Sequence, residues 1–276
     1  MRSAILCPPS QVNNAKEPMS FPLLGADDPA PFLLFPETRP SPFVLVSDHA
    51  GKAVPRALGS LGVEEAEWQR HIAWDIGILG VGRTLHGMLG STLIEQVYSR
   101  LVIDCNRAPG HPTSMPLMSD GTPVPANQAA QATCRARREQ EILHPYHDTI
   151  AEVLVERGPR PTALIALHSF TPQMNGQDRP WQIGILHNQD SRMAAIALDL
   201  LREDTSLCVG DNEPYVLTDT SDYTVPRHAE AAGLPYLEIE IRQDLIVEKA
   251  GQRDWAERLA VLLPKVWERL TEGAGA

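Results

Sequence analysis

The stretch PFVLVSDHAGKAVP, residues 42–55, starts as an uninterrupted apolar run and then changes abruptly to polar side chains. An apolar run without alternation is typical of a strand that is covered on both faces of a sheet. Asp48 and His49 follow at the point where such a strand would end. This pair either caps a solvated loop or belongs to a functional site, because α/β proteins collect their ligands at the carboxyl ends of the strands.

Further apolar segments follow along the chain, and helical patterns lie between them. The additional predicted strands are 91–96, 100–105, 162–168, 181–187, 206–210 and 236–242. The predicted helices are 75–89, 127–157 with a break near Pro145, 191–204 and 251–270. Strands that alternate with helices predict a three-layer α/β/α architecture with a mainly parallel central sheet.

The N-terminal part of the chain differs from the rest in composition. Residues 1–42 contain 9 of the 24 prolines and show little periodicity. We therefore interpret residues 1–40 as a Pro-rich arm and residues 41–276 as a single catalytic α/β domain. The segment 108–125 is long and rich in Pro and Ser, which is typical of a functional lid.

Composition and charge argue against several classes of protein. The 276 residues carry a formal net charge of −11, which disfavours nucleic acid or an anionic membrane as a partner. No apolar run approaches the length of a membrane span, and the first ten residues are too weakly apolar for a signal peptide. The four cysteines form no C-x-x-C pair, which suits a reducing compartment. We therefore expect a cytoplasmic protein.

The motifs of several common enzyme classes are missing from the sequence, whereas histidines occur at two predicted strand ends. There is no G-x-S-x-G, P-loop or H-E-x-x-H motif. His49 follows the first predicted strand, and His168 ends the segment 162–168. Two imidazoles at one edge of a sheet, with a carboxylate nearby, form the kind of ligand set that catalytic zinc uses.

The segment YLEIEIR, residues 236–242, alternates between apolar and charged side chains, so that Glu238, Glu240 and Arg242 share one face of a strand. If this strand lies at an edge of the sheet, the charged face is solvated. If the strand is interior, Glu240 is buried, which is costly unless the carboxylate is paired or lies near a metal. A carboxylate in that position is a candidate general base.

The segments SDHAGKAVP, HIAWDIG, YSRLVIDCNR, ALHSFTP, GDNEPY and EIEIRQDL together resemble the N-formylglutamate amidohydrolase family, over about residues 41–265. That family is similar to the zinc carboxypeptidases and aspartoacylase, so the resemblance implies their mixed-sheet α/β/α fold and one zinc ion per chain. It also implies an amidohydrolase that uses a metal-activated water to remove a formyl or other small acyl group. The implied substrate is a small anionic acyl-amino acid such as N-formylglutamate, with a place in histidine degradation.

The resemblance further implies a set of metal ligands. His49 and His168 match the two metal-binding histidines of the family. The related carboxypeptidases use His-x-x-Glu, but here Lys52 stands three residues after His49 and cannot bind a metal while it is protonated. Asp75 matches an aspartate of the family and is the expected third ligand, although it could equally serve only as a helix N-cap. Asp48 is the alternative third ligand.

Further site residues are also implied by the resemblance. Glu240 matches the glutamate that activates the water, and Asn106 with Arg107 matches an Asn-Arg pair that binds a substrate carboxylate. Arg100 on the segment of Arg107, and Arg242 on the charged face of 236–242, are further candidates for substrate binding by their position and not by the resemblance. Two alternatives stay open at this point. One is a zinc peptidase or deacylase that acts on another anionic substrate, and the other is a non-catalytic pocket protein that has lost its metal.

Overall fold

A seven-stranded sheet forms the centre of the protein in a computed structural model that describes residues 22–273. Its strands lie side by side in the order β1-β3-β2-β6-β11-β9-β10. They are β1 (Phe32–Phe35), β2 (Phe43–Ser47), β3 (Thr92–Gln96), β6 (Ala163–Phe170), β9 (Ile183–Leu186), β10 (Val209–Asp211) and β11 (Tyr236–Arg242). Two short hairpins lie outside this sheet: β4 (Met118–Ser119) with β5 (Thr122–Pro123), and β7 (Gln173–Met174) with β8 (Gln177–Asp178).

The sheet is mixed and mainly parallel, which confirms the predicted fold class. The four neighbouring strands β3, β2, β6 and β11 run parallel to one another. β1 is antiparallel to β3, and β9 is antiparallel to β11, while β10 is parallel to β9. The carboxyl ends of β2, β6 and β11 therefore meet at one edge of the sheet.

Helices cover both faces of the sheet. They are α1 (Ile78–Leu89), α2 (Pro125–Gln128), α3 (Ala132–Arg138), α4 (His144–Arg157), α5 (Arg192–Arg202), α6 (Thr224–His228) and α7 (Lys249–Gly273). On one face, α1, α5 and α7 bury an apolar cluster that includes Leu85, Leu198 and Leu263. On the other face, α4 and the segments after β2 and β3 bury a second cluster around Tyr98 and Tyr146. Within residues 22–273, no helix is long and apolar enough to cross a membrane.

The segment 100–105 is not a strand, contrary to prediction. Leu101, Val102 and Ile103 are fully buried, but they lie in a turn and in the irregular segment that follows it. Asn127 donates to the carbonyl of Leu101 and Arg138 donates to the carbonyl of Val102, at 2.9 Å in both cases. These side chains supply the hydrogen bonds that a neighbouring strand would otherwise provide, so the apolar run can be buried without joining the sheet.

Two predicted helices also differ from the structure. The helix predicted at 75–89 begins at Ile78, because Gly77 adopts a left-handed conformation (φ 84°) at its start. Asp75 is therefore not the N-cap. The long helix predicted at 127–157 consists of α2, α3, a π-helical turn and α4, and Pro145 lies in the first turn of α4. Pro145 has no N–H to donate, and it lies where the chain passes from the π-helical turn to α4, so the helical hydrogen-bond pattern changes at that point.

Candidate active site

The parallel strands bring three titratable side chains to one edge of the sheet. His49 follows β2, His168 lies near the end of β6, and Glu240 lies near the end of β11. In the sheet Glu240 pairs with His168, and Val46 of β2 pairs with Ala166 of β6. All three side chains are buried, and all three line one cavity of about 730 Å³.

His49, Asp75 and His168 form a cluster that could hold a metal ion. One ligand atom from each lies within 4.8 Å of the other two. The Oδ2 atom of Asp75 lies 3.0 Å from Nδ1 of His168 and 3.5 Å from Nδ1 of His49. The Nδ1 atoms of both imidazoles therefore face the same carboxylate oxygen.

Two further carboxylates contact the opposite nitrogen of each imidazole. Asp104 Oδ1 lies 2.7 Å from Nε2 of His49, and Asp48 Oδ2 lies 3.2 Å from Nε2 of His168. The hydrogen bond to Asp104 holds a proton on Nε2 of His49 and leaves Nδ1 of that ring free for a metal. Nε2 of His168 and Oδ2 of Asp48 are in ionic contact without forming a hydrogen bond. Asp48 is thus outside the cluster and accepts a hydrogen bond from Thr224 Oγ1 at 2.7 Å.

The electrostatics of the cluster favour positive charge. Burial alone would lower the pKa of His168, but contacts with Asp48 and Asp75 raise it well above its ordinary value. Burial opposes ionisation of Asp104 as well, yet His49 and Arg100 hold the pKa of that carboxyl well below its usual range. When the two imidazoles are neutral, as they must be to bind a metal, the three ionised carboxylates leave a surplus of negative charge.

These residues fit a divalent metal. Two imidazole nitrogens and a carboxylate oxygen are a ligand set that zinc takes in catalytic sites. Nδ1 of His49 is buried and has no hydrogen-bond partner among the described residues, as expected of an atom that faces a metal. Lys52, which stands at the position of the expected glutamate, points elsewhere: its Nζ donates to Gln69 at 3.0 Å and lies over the ring of Trp74.

Arg100 lines the cavity but is largely committed to the carboxylates of the cluster. Its guanidinium lies 3.3 Å from Oδ1 of Asp75 and 2.8 Å from Oδ2 of Asp104. It thereby orients both carboxylates. A substrate carboxylate would have to compete with these two groups for Arg100.

Glu240 has the environment of a general base. Its side chain is buried, and its Oε2 atom has no hydrogen-bond partner among the described residues. Burial raises the pKa of this carboxyl to about 7. A base whose pKa lies near neutral pH can both accept and return a proton during turnover.

Arg107 and Asn106 differ in how far they are free to meet a substrate. Arg107 lines the cavity, and its guanidinium donates to the backbone carbonyl of Asn106 at 2.8 Å. The side-chain oxygen of Asn106 accepts from the backbone N–H groups of Tyr223 and Thr224, and its Nδ2 donates to Asp222. Asn106 therefore mainly holds the start of α6, whereas Arg107 retains free donors.

Arg242 is not among the residues that line the cavity. Its guanidinium pairs with Asp244 and donates to the backbone carbonyls of Arg179 and Pro180. Although it shares the strand face of Glu240, it lies at the last position of β11, where its long side chain turns to these partners. The structure thus does not bring Arg242 to the other predicted site residues.

Sequence reasoning assigned no role to several residues of the cavity. The segment 112–120, within the predicted lid, forms part of the wall, and so do Tyr215 and Asp222. Asp104, the partner of His49, was overlooked although it immediately precedes CNR in the chain. Glu238 lines the cavity beside Glu240, and the two-residue alternation of YLEIEIR already placed both on one face.

Comparison with known proteins identifies relatives of the chain. The sequence model of the N-formylglutamate amidohydrolase family matches residues 41–247. A gene product of Agrobacterium tumefaciens, whose crystal structure is known, is 34% identical with a TM-score of 0.86, and the match covers 90% of this chain and 99% of that one. An N-formylglutamate amidohydrolase from Ralstonia eutropha has a similar fold, with 21% identity, a TM-score of 0.64 and coverage of 88% and 99%. A search of curated proteins gave no match.

Proposed function

The chain belongs to the N-formylglutamate amidohydrolase family and is an amide-cleaving hydrolase, and from this premise we propose that it removes a formyl or other small acyl group from an amino acid with the help of zinc. The observation that carries the proposal is the buried cluster of His49, Asp75 and His168 beside Glu240 in one cavity. N-formylglutamate, the substrate in the name of the family, is the reference substrate.

His49, Asp75 and His168 would hold the metal. A divalent ion at this cluster would polarise the acyl carbonyl and lower the pKa of a water molecule. Asp104 keeps a proton on Nε2 of His49, which fixes the orientation of that ring, and Asp48 places a negative charge 3.2 Å from Nε2 of His168. Arg100 holds Asp75 and Asp104 in place and limits the surplus of negative charge.

Glu240 performs the proton transfers. It takes a proton from the attacking water as the water oxygen bonds to the acyl carbon. It then returns that proton to the amide nitrogen as the carbon–nitrogen bond breaks, so that the acid and the amino acid are released. Burial raises its pKa to about 7 in the metal-free fold, and a cation at the cluster would lower it again, so that the carboxylate is ionised and able to accept the proton at neutral pH.

Arg107 binds the α-carboxylate of the substrate. The protein carries a net charge of −11, so long-range attraction does not favour an anion and short contacts must hold it. The planar guanidinium of Arg107 can donate two parallel hydrogen bonds to a carboxylate. Its only hydrogen bond among the described residues goes to the carbonyl of Asn106, which leaves further donors for a ligand.

The proposal is tested with metal analysis and a hydrolysis assay on three variants. We expect the metal affinity of His168→Ala to be at least about 10-fold lower than that of the wild type, because the variant lacks a ligand. His144→Ala, an exposed histidine on α4, is the matched control and should keep both metal and activity. Glu240→Gln should keep its metal but lose at least about 10²-fold in kcat, as is usual for the loss of a general base.

The assay follows amine release from N-formylglutamate, N-acetylglutamate and an unblocked dipeptide. Full metal occupancy in His168→Ala would refute the metal site. Cleavage of the dipeptide alone would indicate a peptidase, and a metal-loaded protein that cleaves neither these three compounds nor any other N-formyl amino acid would contradict the proposed activity.

A further inference from the structure

The cavity contains a second buried glutamate that the proposed reaction does not use. Glu238 is 2% exposed and lines the cavity two residues before Glu240 on the same face of β11. Its Oε2 atom has no hydrogen-bond partner among the described residues. A buried carboxyl without a partner is costly, so its persistence beside a ligand cavity calls for a group that pairs with it.

The charges that line the cavity restrict what that group can be. Arg100 is already paired with Asp75 and Asp104, so Arg107 is the one lining arginine that forms no ion pair within residues 22–273. Arg107 can hold one carboxylate of a substrate. A substrate with two carboxylates would have to place the second without a free arginine.

We propose that Glu238 forms a subsite for an N–H donor, such as a carboxamide or an amine, at the end of the side chain of the substrate amino acid. The inference rests on the proposed function and narrows its substrate class. It replaces the expectation of an acidic amino acid with that of an amino acid whose side chain donates hydrogen bonds.

The surroundings of Glu238 support a donor and disfavour a carboxylate. Burial and the charge of Asp222 raise the pKa of Glu238 well above its ordinary value, although the charge of His168 opposes them, and Glu240 adds to the increase. Asp222 is itself held as an acceptor by Asn106 and Ser221, so it stays at the cavity wall. A substrate carboxylate here would add one more negative charge to this group.

A carboxamide is complementary to Glu238 in either protonation state. The neutral carboxyl can donate to the amide oxygen and accept from the amide N–H, which makes two hydrogen bonds in one ring. The ionised carboxyl can accept from the N–H groups alone. An ammonium group would instead pair with the ionised form and stabilise it.

The test compares substrates that share the formyl group and the α-carboxylate but differ at the end of the side chain. For N-formylglutamine we expect kcat/KM to exceed that for N-formylnorvaline, which lacks the polar group, by about 10- to 100-fold, because norvaline leaves Glu238 unpaired. We expect kcat/KM for Nα-formyllysine to exceed that for N-formylnorvaline as well. N-formylglutamate should be the poorest of the polar substrates.

Glu238→Met removes both oxygens and keeps the length of the side chain. In this variant the values of kcat/KM for N-formylglutamine and N-formylnorvaline should differ by no more than about 3-fold. Asp120→Asn is the matched control: this carboxyl also lines the cavity, but it is paired with Arg70, so the preference should persist. A preference that survives in Glu238→Met would overturn the subsite.

Equilibrium binding of the free amino acids to the metal-loaded wild type separates this inference from the proposed function. Tighter binding of glutamine than of glutamate or norvaline supports the subsite even if none of the formyl derivatives is cleaved. Tighter binding of glutamate, or equal binding of glutamine and norvaline, overturns it whether or not hydrolysis occurs. These measurements on the wild type decide the matter if Glu238→Met does not fold.

Discussion

At the scale of single residues, burial sets the chemistry of Glu240. The carboxyl has an ordinary pKa of 4.5 in the unfolded chain and a pKa of about 7 in the fold, chiefly because burial disfavours its charged form. Between these two values the native state binds more protons than the unfolded state. Stability from this group is therefore present at low pH and is lost as pH rises towards 7.

Glu240→Gln should remove this pH dependence. In metal-free protein at pH 5 the variant and the wild type should have similar free energies of unfolding, because both side chains are neutral in the fold. At pH 8 the variant should be more stable by about 2–3 kcal/mol, since it no longer buries an ionised carboxylate. Urea unfolding in the presence of a chelator measures both values. If the variant and the wild type differed in free energy of unfolding by the same amount at both pH values, Glu240 would not titrate as described.

Arg107→Lys tests recognition of the α-carboxylate. Lysine keeps the charge but not the two parallel N–H donors. We therefore expect kcat/KM to fall by an amount that corresponds to an increase of about 2–4 kcal/mol in the free energy of activation. The decrease in kcat/KM should be much smaller for the α-amide of the same substrate, because the α-amide has no α-carboxylate for Arg107 to bind. Steady-state kinetics on both substrates give the comparison, and equal losses would exclude Arg107 as the carboxylate-binding group.

At the scale of elements, local patterns predicted the strands that carry the site. The apolar runs of β2 and β6 and the alternation of β11 are properties of five to eight neighbouring residues, which a sequence displays directly. The segment 100–105 has the same apolar pattern but lies in turns and irregular structure. Its carbonyls are satisfied by Asn127 and Arg138, which are 26 and 36 residues further along the chain. Such distant side-chain contacts leave no local pattern.

The site was predictable to a similar extent. His49 and His168 could be located because each stands at the end of an apolar run, and their approach follows from parallel pairing. The pairing of Asp104 with His49 was not predictable, since it depends on how the turns after β3 fold back. The side-chain direction of Arg242 likewise depends on carbonyls at 179 and 180, far away in sequence.

Gly51 links the loop after His49 to the end of β3. A Cβ atom at this position would lie 1.9 Å from the carbonyl oxygen of Val97, and the neighbouring Ala53 forms a bridge to Tyr98. The added methyl group in Gly51→Ala must therefore push the loop that carries His49 away from the backbone of Val97. We expect the free energy of unfolding to fall by roughly 1–3 kcal/mol and metal affinity to weaken.

Gly87→Ala is the matched control for this prediction. Gly87 lies on the exposed side of α1, with no atom within 4 Å of an added Cβ. The change should stabilise the protein by about 0.5–1 kcal/mol, because alanine favours a helix, and should leave metal binding unchanged. Urea unfolding and a metal titration measure both variants. Unchanged metal affinity in Gly51→Ala would show that the loop adapts without moving His49.

At the scale of the whole molecule, the fold class followed from the succession of elements, but the order of the strands did not. The sheet places β11, near the end of the chain, between β6 and β9, and it adds β1 beside β3 in the antiparallel direction. These pairings join segments that are far apart in sequence. The same topology places the site at the centre of the sheet, where neighbours on both sides hold its side chains.

The position of β1 bears on whether separate copies of the protein associate through their sheets. β1 pairs with β3 along its whole length, from Phe32 opposite Gln96 to Phe35 opposite Leu93. A chain that began at residue 41, where the family match begins, would leave the N–H and C=O groups of the buried strand β3 open to another copy. We expect such a chain to aggregate in light-scattering measurements, whereas one that begins at residue 22 remains dispersed. The residues of β1 thus prevent β3 from pairing with a strand of another copy, a role that is separate from catalysis.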